Sequence, residues 1–414
     1  MKKIISTLAV FLLVGILLTG CGGNQEASNK DGQITLEFFQ YKQEAVGAFD
    51  HLIAEFEKEN PNIKIEQNNV PEPDTVLRSR LSKNDIPAIM TINGAAVYGE
   101  LADSGIYANF TDDPILDDVQ EAYIRMVREL HGDTDTSYGI PYTANAVPII
   151  YNKDKFEELG LEVPTTWNQL IATAEKIKEA GETPFYLTFR EAWTTLPSWN
   201  ALASNLAGID FIKAKAEGET TFKEGYHEVA KRMYSLLEYG DDDNFATGYN
   251  QGNIAFANGK SVMYLQGIWA LGQIKQANPD INLGVFAFPA VNDSSQNKLV
   301  SGVDTVLTMS IKLKGEEAKA AKKFIHFLLE KKNAEYYIGQ QKLFSTLKGV
   351  YQQDPILASL QEYFKTGRLV PFSDHYYPSG LQIENLIQEF LLDGNVDAFL
   401  EKLDNEWDKV QARQ

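Results

Sequence analysis

From Ile34 onward the chain switches repeatedly between two hydrophobic periods, and that switching most limits what it can become. In "ITLEFF" the apolar residues Ile34, Leu36 and Phe38 alternate with Thr35 and Glu37, the period of a half-buried strand. Phe49, Leu52, Ile53 and Phe56 then recur at helical spacing, and Asn60-Pro61 ends that run before "NIKIEQ" restores the period of two. Further helix patterns precede "IPAIMTING" and cover "AYIRMVREL". In "VPTTWNQLIATAEKIKEAG", Thr166 with Gln169 reads as a capping box and Gly181 as a C-terminal stop. Mixed strand and helix patterns continue through "FANGKSVMYLQG", "NLGVFAFPAV", "TVLTMSIKL", "GEEAKAAKKFIHFLLEK" and "VDAFLEKLDNEWDKV". Alternation of this kind predicts an α/β fold in which helices cover the sheets. The length from Ile34 to Gln414 exceeds what one simple core serves and suits two lobes.

The segment before Ile34 has a different logic. Lys2 and Lys3 precede an apolar run from Ile4 to Leu18, broken by Ser6, Thr7 and Gly15. This is the charged and apolar pattern of a secretory signal, shorter than the roughly 20 residues a permanent span needs. Leu18-Thr19-Gly20-Cys21 resembles a bacterial lipobox, which implies cleavage before Cys21 and acylation of its thiol, a lipid anchor of the palmitate kind. An ordinary signal with a chance cysteine is the alternative. Cys21 is the only cysteine, consistent with an exported chain that carries no spare thiol. The stretch "GGNQEASNKDGQ" that follows has no apolar periodicity and reads as a flexible leash over 21–33.

Charge and motifs exclude several function classes. A net charge of −19 argues against nucleic acid as a partner and against an electrostatic grip on anionic lipid, leaving the membrane to be reached through the anchor alone. "HExxH" and "CxxC" are absent, and the five histidines are not paired at ligand spacing, so no metal site or cofactor is implied. "ANGKS" lacks the earlier glycine of a phosphate loop, since Ile254 stands there. "GDDDNF" has Phe245 where a calcium loop needs a ligand, so a solvated acidic loop is the better reading. No "GxSxG" elbow occurs; paired carboxylates for glycoside hydrolysis stay open, because such partners lie far apart in a chain.

Four segments together resemble the family 1 extracellular solute-binding proteins, the lipid-anchored or periplasmic receptors of sugar ABC importers. They are "ITLEFFQYKQEAVGAFDHLIAEFEKENPNIKIE", "YGIPYTANAVPIIYNKDKFEELGLEVPTTWNQL", "FANGKSVMYLQGIWA", and "GVFAFPA" with "GVDTVLTMSIK". The resemblance implies two α/β lobes joined by hinge strands, with a solute cleft between them and membrane permease subunits as partners. By analogy with the maltose-binding type, lobe 1 takes 34–141 and 290–343, and lobe 2 takes 145–286 and 347–414. Crossings then fall near 141–145, 286–290 and 343–347.

A sugar presents apolar C–H faces and a rim of hydroxyls, so its site needs aromatic faces together with carboxylates and amides. Trp269, at a strand-to-helix junction in "QGIWA", stands where the family places a cleft tryptophan; packing in the core is its alternative. Trp193 and Trp199 lie in a Pro-containing stretch between a strand and a helix, and Trp167 and Trp407 sit at helical spacing that suits the core. Tyr41 follows the first strand, where the family's first loop meets ligand, and Glu44 beside it either accepts hydroxyls or caps the next helix. Asp304 interrupts an apolar strand and so needs a partner, a solute hydroxyl or a neighbouring cation. Asn93, Tyr142 and Asn145 are strand-end polar groups with the same two readings, and Arg190, Tyr376 and Tyr377 are weaker candidates.

The expectation is therefore a monomeric, membrane-tethered receptor on the extracytoplasmic face, without catalytic residues, that binds a carbohydrate, an oligosaccharide foremost, and delivers it to an ABC importer. Its rivals are the same fold carrying a polyamine or glycerol phosphate, an exported glycan-active enzyme, and a scaffold or adhesin lipoprotein.

Overall fold

The structure is a computed structural model that describes residues 33–413 apart from 71–72, 242–243 and 379. The signal segment, Cys21 and the leash to residue 32 lie outside the described residues. Among the described residues ten strands form: β1 Ile34–Phe39, β2 Ile63–Asn68, β3 Ile89–Asn93, β4 Ile140–Asn152, β5 Phe185–Tyr186, β6 Met263–Tyr264, β7 Leu283–Ala287, β8 Leu299–Met309, β9 Phe344–Ser345 and β10 Leu369–Val370. Helices fill the intervals, giving the α/β organisation expected from the two periods.

One sheet region has the order β2-β1-β3-β8-β4, with β1 parallel to β2 and β3, and β8 antiparallel to β3 and β4. The second is built on the far half of β4, whose residues Pro148–Asn152 pair with β7 while Ile150 and Tyr151 also pair with β6. Strand β4 is thus common to both regions. It reads as a nearly unbroken apolar run because it is flanked by partners on both edges and covered on its faces, 10 of its 13 residues being buried. The short β9 pairs with β4 at Thr143 and Ala144, and β10 pairs with the start of β8.

The apolar faces read from sequence pack as expected. Phe49, Leu52, Ile53 and Phe56 are all buried in the helix Val46–Glu59. Phe49 meets Phe38 of β1 edge-on at 4.9 Å, and Phe56 meets Phe324 of the helix Gly315–Leu329 at 5.0 Å. A second core gathers rings on the other side of β4. Trp199 lies 5.7 Å from Phe399, and Trp407 5.5 Å from Phe222. The helix Trp167–Glu179 starts at Thr166, whose Oγ1 accepts from the Gln169 N–H at 3.3 Å. The return arm of that cap is displaced by one residue, since Gln169 Oε1 accepts from the Thr165 N–H at 2.9 Å. Among the described residues no helix is long and apolar enough to cross a membrane.

Candidate functional site

The site begins with a fault in strand pairing. Along β4 and β8, Pro141 pairs with Val306, Thr143 with Thr305 and Ala144 with Val303, so Tyr142 is an extra residue on β4 and Asp304 an extra residue on β8. Two opposed bulges cancel and the ladder resumes in register. A bulge re-aims the side chains beside it. Here Asp304 lines a cleft of about 640 Å³ while Tyr142 turns into the core.

Asp304 is 6% exposed, and its carboxylate is the centre of a polar network. Lys42 Nζ lies 2.7 Å from Oδ2, Thr305 and Thr143 hydroxyls donate to the same oxygen at 2.9 and 3.3 Å, and the Asn145 amide donates to Oδ1. Lys42, itself only 10% exposed, also lies 3.6 Å from Glu44 Oε1. A buried carboxylate is tolerated when its lone pairs are filled in this way. Tyr41 leaves β1 and donates its phenol to the Asp304 carbonyl at 2.7 Å. Burial, aided by the Asp304 charge, drives the Tyr41 phenol well above its usual pKa, so it stays a neutral donor.

Aromatic rings occupy another side of the cleft. Trp193 and Tyr249 lie 4.9 Å apart, tilted by 60°, and burial pushes the Tyr249 phenol up to about 12. Trp269 caps the helix Ala270–Ala277, and its indole lies across Gly267, where an added Cβ would meet the ring at 2.0 Å; only glycine permits that approach. Gln273, one turn into the helix, is held by the Asn253 amide at 2.6 Å, and Asn253 in turn accepts from the Tyr264 phenol at 2.9 Å. Phe372 and His375 stack at 4.8 Å on a further edge. Between them Asp374 donates its backbone N–H to Asn200 at 3.1 Å, and burial raises the pKa of its carboxyl.

Of the residues singled out in the sequence, Tyr41, Glu44, Asn93, Asn145, Trp193, Trp269 and Asp304 line this one cleft. Tyr142 does not. It is 1% exposed, packed 4.8 Å from Tyr337, and its hydroxyl has no partner among the described residues. Thr143 and Asn145, two positions apart, both reach Asp304, so by strand alternation Tyr142 beside Thr143 falls on the opposite face. Trp199 lies in the core with its indole N–H donating to the Tyr377 hydroxyl at 3.1 Å, and Trp167 and Trp407 are buried too. Tyr377 is buried, Tyr376 half-buried, and Arg190 is exposed and directed to Gln251 at 3.2 Å. The structure adds Lys42, Asn200, Tyr249, Gln273, Asp374 and His375 to the lining. Lys42 sits between two residues already chosen and carried a signal, a charge beside a strand end. Tyr249 and Gln273 lie on helices with no local mark of their role.

The sequence profile of the bacterial extracellular solute-binding proteins matches residues 41–335. The multiple sugar-binding protein of Streptococcus mutans is 31% identical over 358 residues, covering 84% of this chain and 83% of that protein. The solved apo structure of RafE from Streptococcus pneumoniae superposes with a TM-score of 0.80 at 26% identity, covering 93% of this chain and all of that one; RafE in complex with raffinose gives the same score. A chitin oligosaccharide binding protein, at 22% identity and a TM-score of 0.78 over 92% of this chain and 99% of its own, shares the fold. The architecture is the two-lobed α/β fold of these structures. The chain belongs to the bacterial extracellular solute-binding protein family.

Proposed function

We propose that this protein is an extracytoplasmic receptor for an uncharged carbohydrate, an oligosaccharide foremost, which it hands to an ABC importer. The observation that carries this reading is the pairing of surfaces in one cleft of about 640 Å³: the rings of Tyr41, Trp193, Tyr249 and Trp269 beside the polar groups of Glu44, Asn93, Asn145 and Asp304. Sugar C–H faces stack on such rings, and their hydroxyls pair with carboxylates and amides. The names of the relatives, a multiple sugar-binding protein and a raffinose-bound RafE, agree with that chemistry.

An anionic solute suits the cleft poorly. Lys42 is committed to Asp304 at 2.7 Å, and Lys342 to Asp354 at 2.8 Å, so neither ammonium waits for a phosphate. Capture works by population shift: a solute bridging both lobes stabilises the closed state by its differential contacts there. The lobes we propose are 34–141 with 290–343 and 145–286 with 347–414. Hinge crossings at 141–145 and 343–347 are supported by β9 lying on β4 at Thr143 and Ala144, and beyond Ala287 strand β8 runs alongside β4 from Leu299. Cys21, acylated after signal removal, tethers the body through the leash, and two permease subunits and an ATPase complete the importer.

Thermal melting of the protein without residues 1–21, against raffinose, stachyose and chitin oligosaccharides, tests the reading. A saccharide at 100 times its Kd adds about 2.7 kcal/mol and raises the midpoint visibly. Recovery of that saccharide unchanged after prolonged incubation separates a receptor from a glycan-active enzyme. No shift with any neutral saccharide, and a shift with glycerol phosphate instead, would reverse it.

A further inference from the structure

Behind the ring pair of the cleft, and not part of its lining, is a carboxylate that touches both rings' supports. Glu191 Oε2 accepts the Trp193 indole N–H at 3.1 Å, and Oε1 accepts the backbone N–H of Tyr249 at 3.0 Å. Tyr249 opens the helix Tyr249–Ala257, so the carboxylate lies at a helix N-terminus, where the first N–H groups lack partners and negative charge is favoured. The preceding residue, Gly248, makes room for it: an added Cβ there would lie 2.3 Å from Glu191 Oε1 and 2.6 Å from Arg190 Nη2. Arg190 closes the far side through Gln251 at 3.2 Å. The same helix carries Asn253, which holds Gln273 in the cleft.

We propose that Glu191 is a positioning residue that fixes Trp193 and Tyr249 as a single stacking surface, already formed in the empty protein. Its two oxygens tie the turn Ala192–Thr195 to the start of the helix Tyr249–Ala257, so the Trp193 indole cannot leave, nor the backbone that carries Tyr249 shift, without breaking a charge-assisted hydrogen bond. A solute then meets an indole whose rotamer is already ordered beside the Tyr249 ring, and binding is spared the cost of freezing the Trp193 side chain. The role assigned to the rings rests on the carbohydrate reading; their fixation by Glu191 does not.

The test uses Glu191→Ala, Glu191→Gln, Gly248→Ala and Trp193→Phe. In the empty protein, the near-UV circular dichroism lost in Trp193→Phe defines the signal of that indole. Glu191→Ala and Gly248→Ala should each abolish it, the second by displacing the carboxylate without removing it, and Glu191→Gln, which keeps one acceptor oxygen, should retain part. Raffinose affinity should fall by up to about 10-fold in Glu191→Ala, the equivalent of ordering one side chain. In a Trp193→Phe background the same change should cost far less, because both act through one ring. An unchanged indole signal in Glu191→Ala, or fully additive losses of affinity, overturns the proposal. If Glu191→Ala does not fold, the near-isosteric Glu191→Gln decides by the same signal. If no saccharide binds the wild type, the receptor reading falls while the spectrum still decides the role of Glu191.

Discussion

Removing the Asp304 carboxylate strands a cation, and the cost can be worked from the geometry. At 2.7 Å the gross attraction between Lys42 Nζ and Asp304 is about 6 kcal/mol at an effective dielectric constant of about 20. Desolvating two groups that are 10% and 6% exposed offsets much of it, at several kcal/mol for each ion. The pair is therefore nearly neutral as a pair and expensive to break. Asp304→Leu alone should destabilise the protein by about 3–5 kcal/mol, since Lys42 then keeps only the exposed Glu44 at 3.6 Å, and Lys42→Met alone by a similar amount, since Asp304 loses its cation. The double substitution Lys42→Met with Asp304→Leu should recover most of that loss and lie within about 2 kcal/mol of wild type, the residue being the donors of Asn145, Thr143 and Thr305 left without their acceptor. Urea unfolding at neutral pH, followed by tryptophan fluorescence, gives all four corners of the cycle. A double variant as unstable as the two singles added together would refute the argument that the charges compensate each other. The saccharide-induced rise in melting should vanish in Asp304→Leu and in the double variant, because stability returns with the apolar pair while the hydroxyl acceptor does not.

Trp269→Ala should weaken saccharide binding by about 10–100-fold, as expected for loss of a stacking ring, with little change in urea midpoint; isothermal titration separates the two. Trp199→Ala should do the reverse, lowering stability by about 3–5 kcal/mol through a core cavity, since this indole is fully buried against Tyr226 and Phe399. Tyr142→Phe removes a buried hydroxyl that has no partner among the described residues, and should leave saccharide affinity unchanged with melting equal to or above wild type. Glu37 has its pKa held down by the Arg80 guanidinium, which donates to it twice, at 2.6 and 2.7 Å. Its folded pKa lies below its ordinary value of 4.5, so its stabilisation is full above that pH and is lost as pH falls through the depressed value. Glu37→Gln should therefore flatten the melting-temperature profile on the acid side of pH 4.5 and lower it at neutral pH; identical slopes would contradict this.

Periodicity revealed most of the framework. The strands around Ile34–Phe38 and Ile63–Ile65 and the helix carrying Phe49 to Phe56 were legible because each buries one face, and a buried face imposes its period on the residues, whereas Ile89–Asn93, buried on both faces, carries no such period. Asp304 was legible for the opposite reason: one charge in an apolar strand has to be compensated. Tryptophans told less, because stacking on a sugar and packing in a core use the same residue. Trp193 and Trp199 stand six positions apart, yet one lines the cleft and the other lies wholly inside.

From its own residues the chain determined an α/β body with an apolar frame and a set of strand-end polar groups, since these follow from local burial and local charge. Only the tertiary structure decided which side each group faces. The register of β4 against β8 brings Asp304 beside Thr143 and Asn145 in the cleft while Tyr142 faces the core, and Lys42 finds Asp304 across 262 positions of chain. Glu191 reaches Tyr249 because Gly248 has no side chain to exclude it. Those outcomes depend on register and on contacts between distant segments, and neither leaves a periodic trace in the sequence.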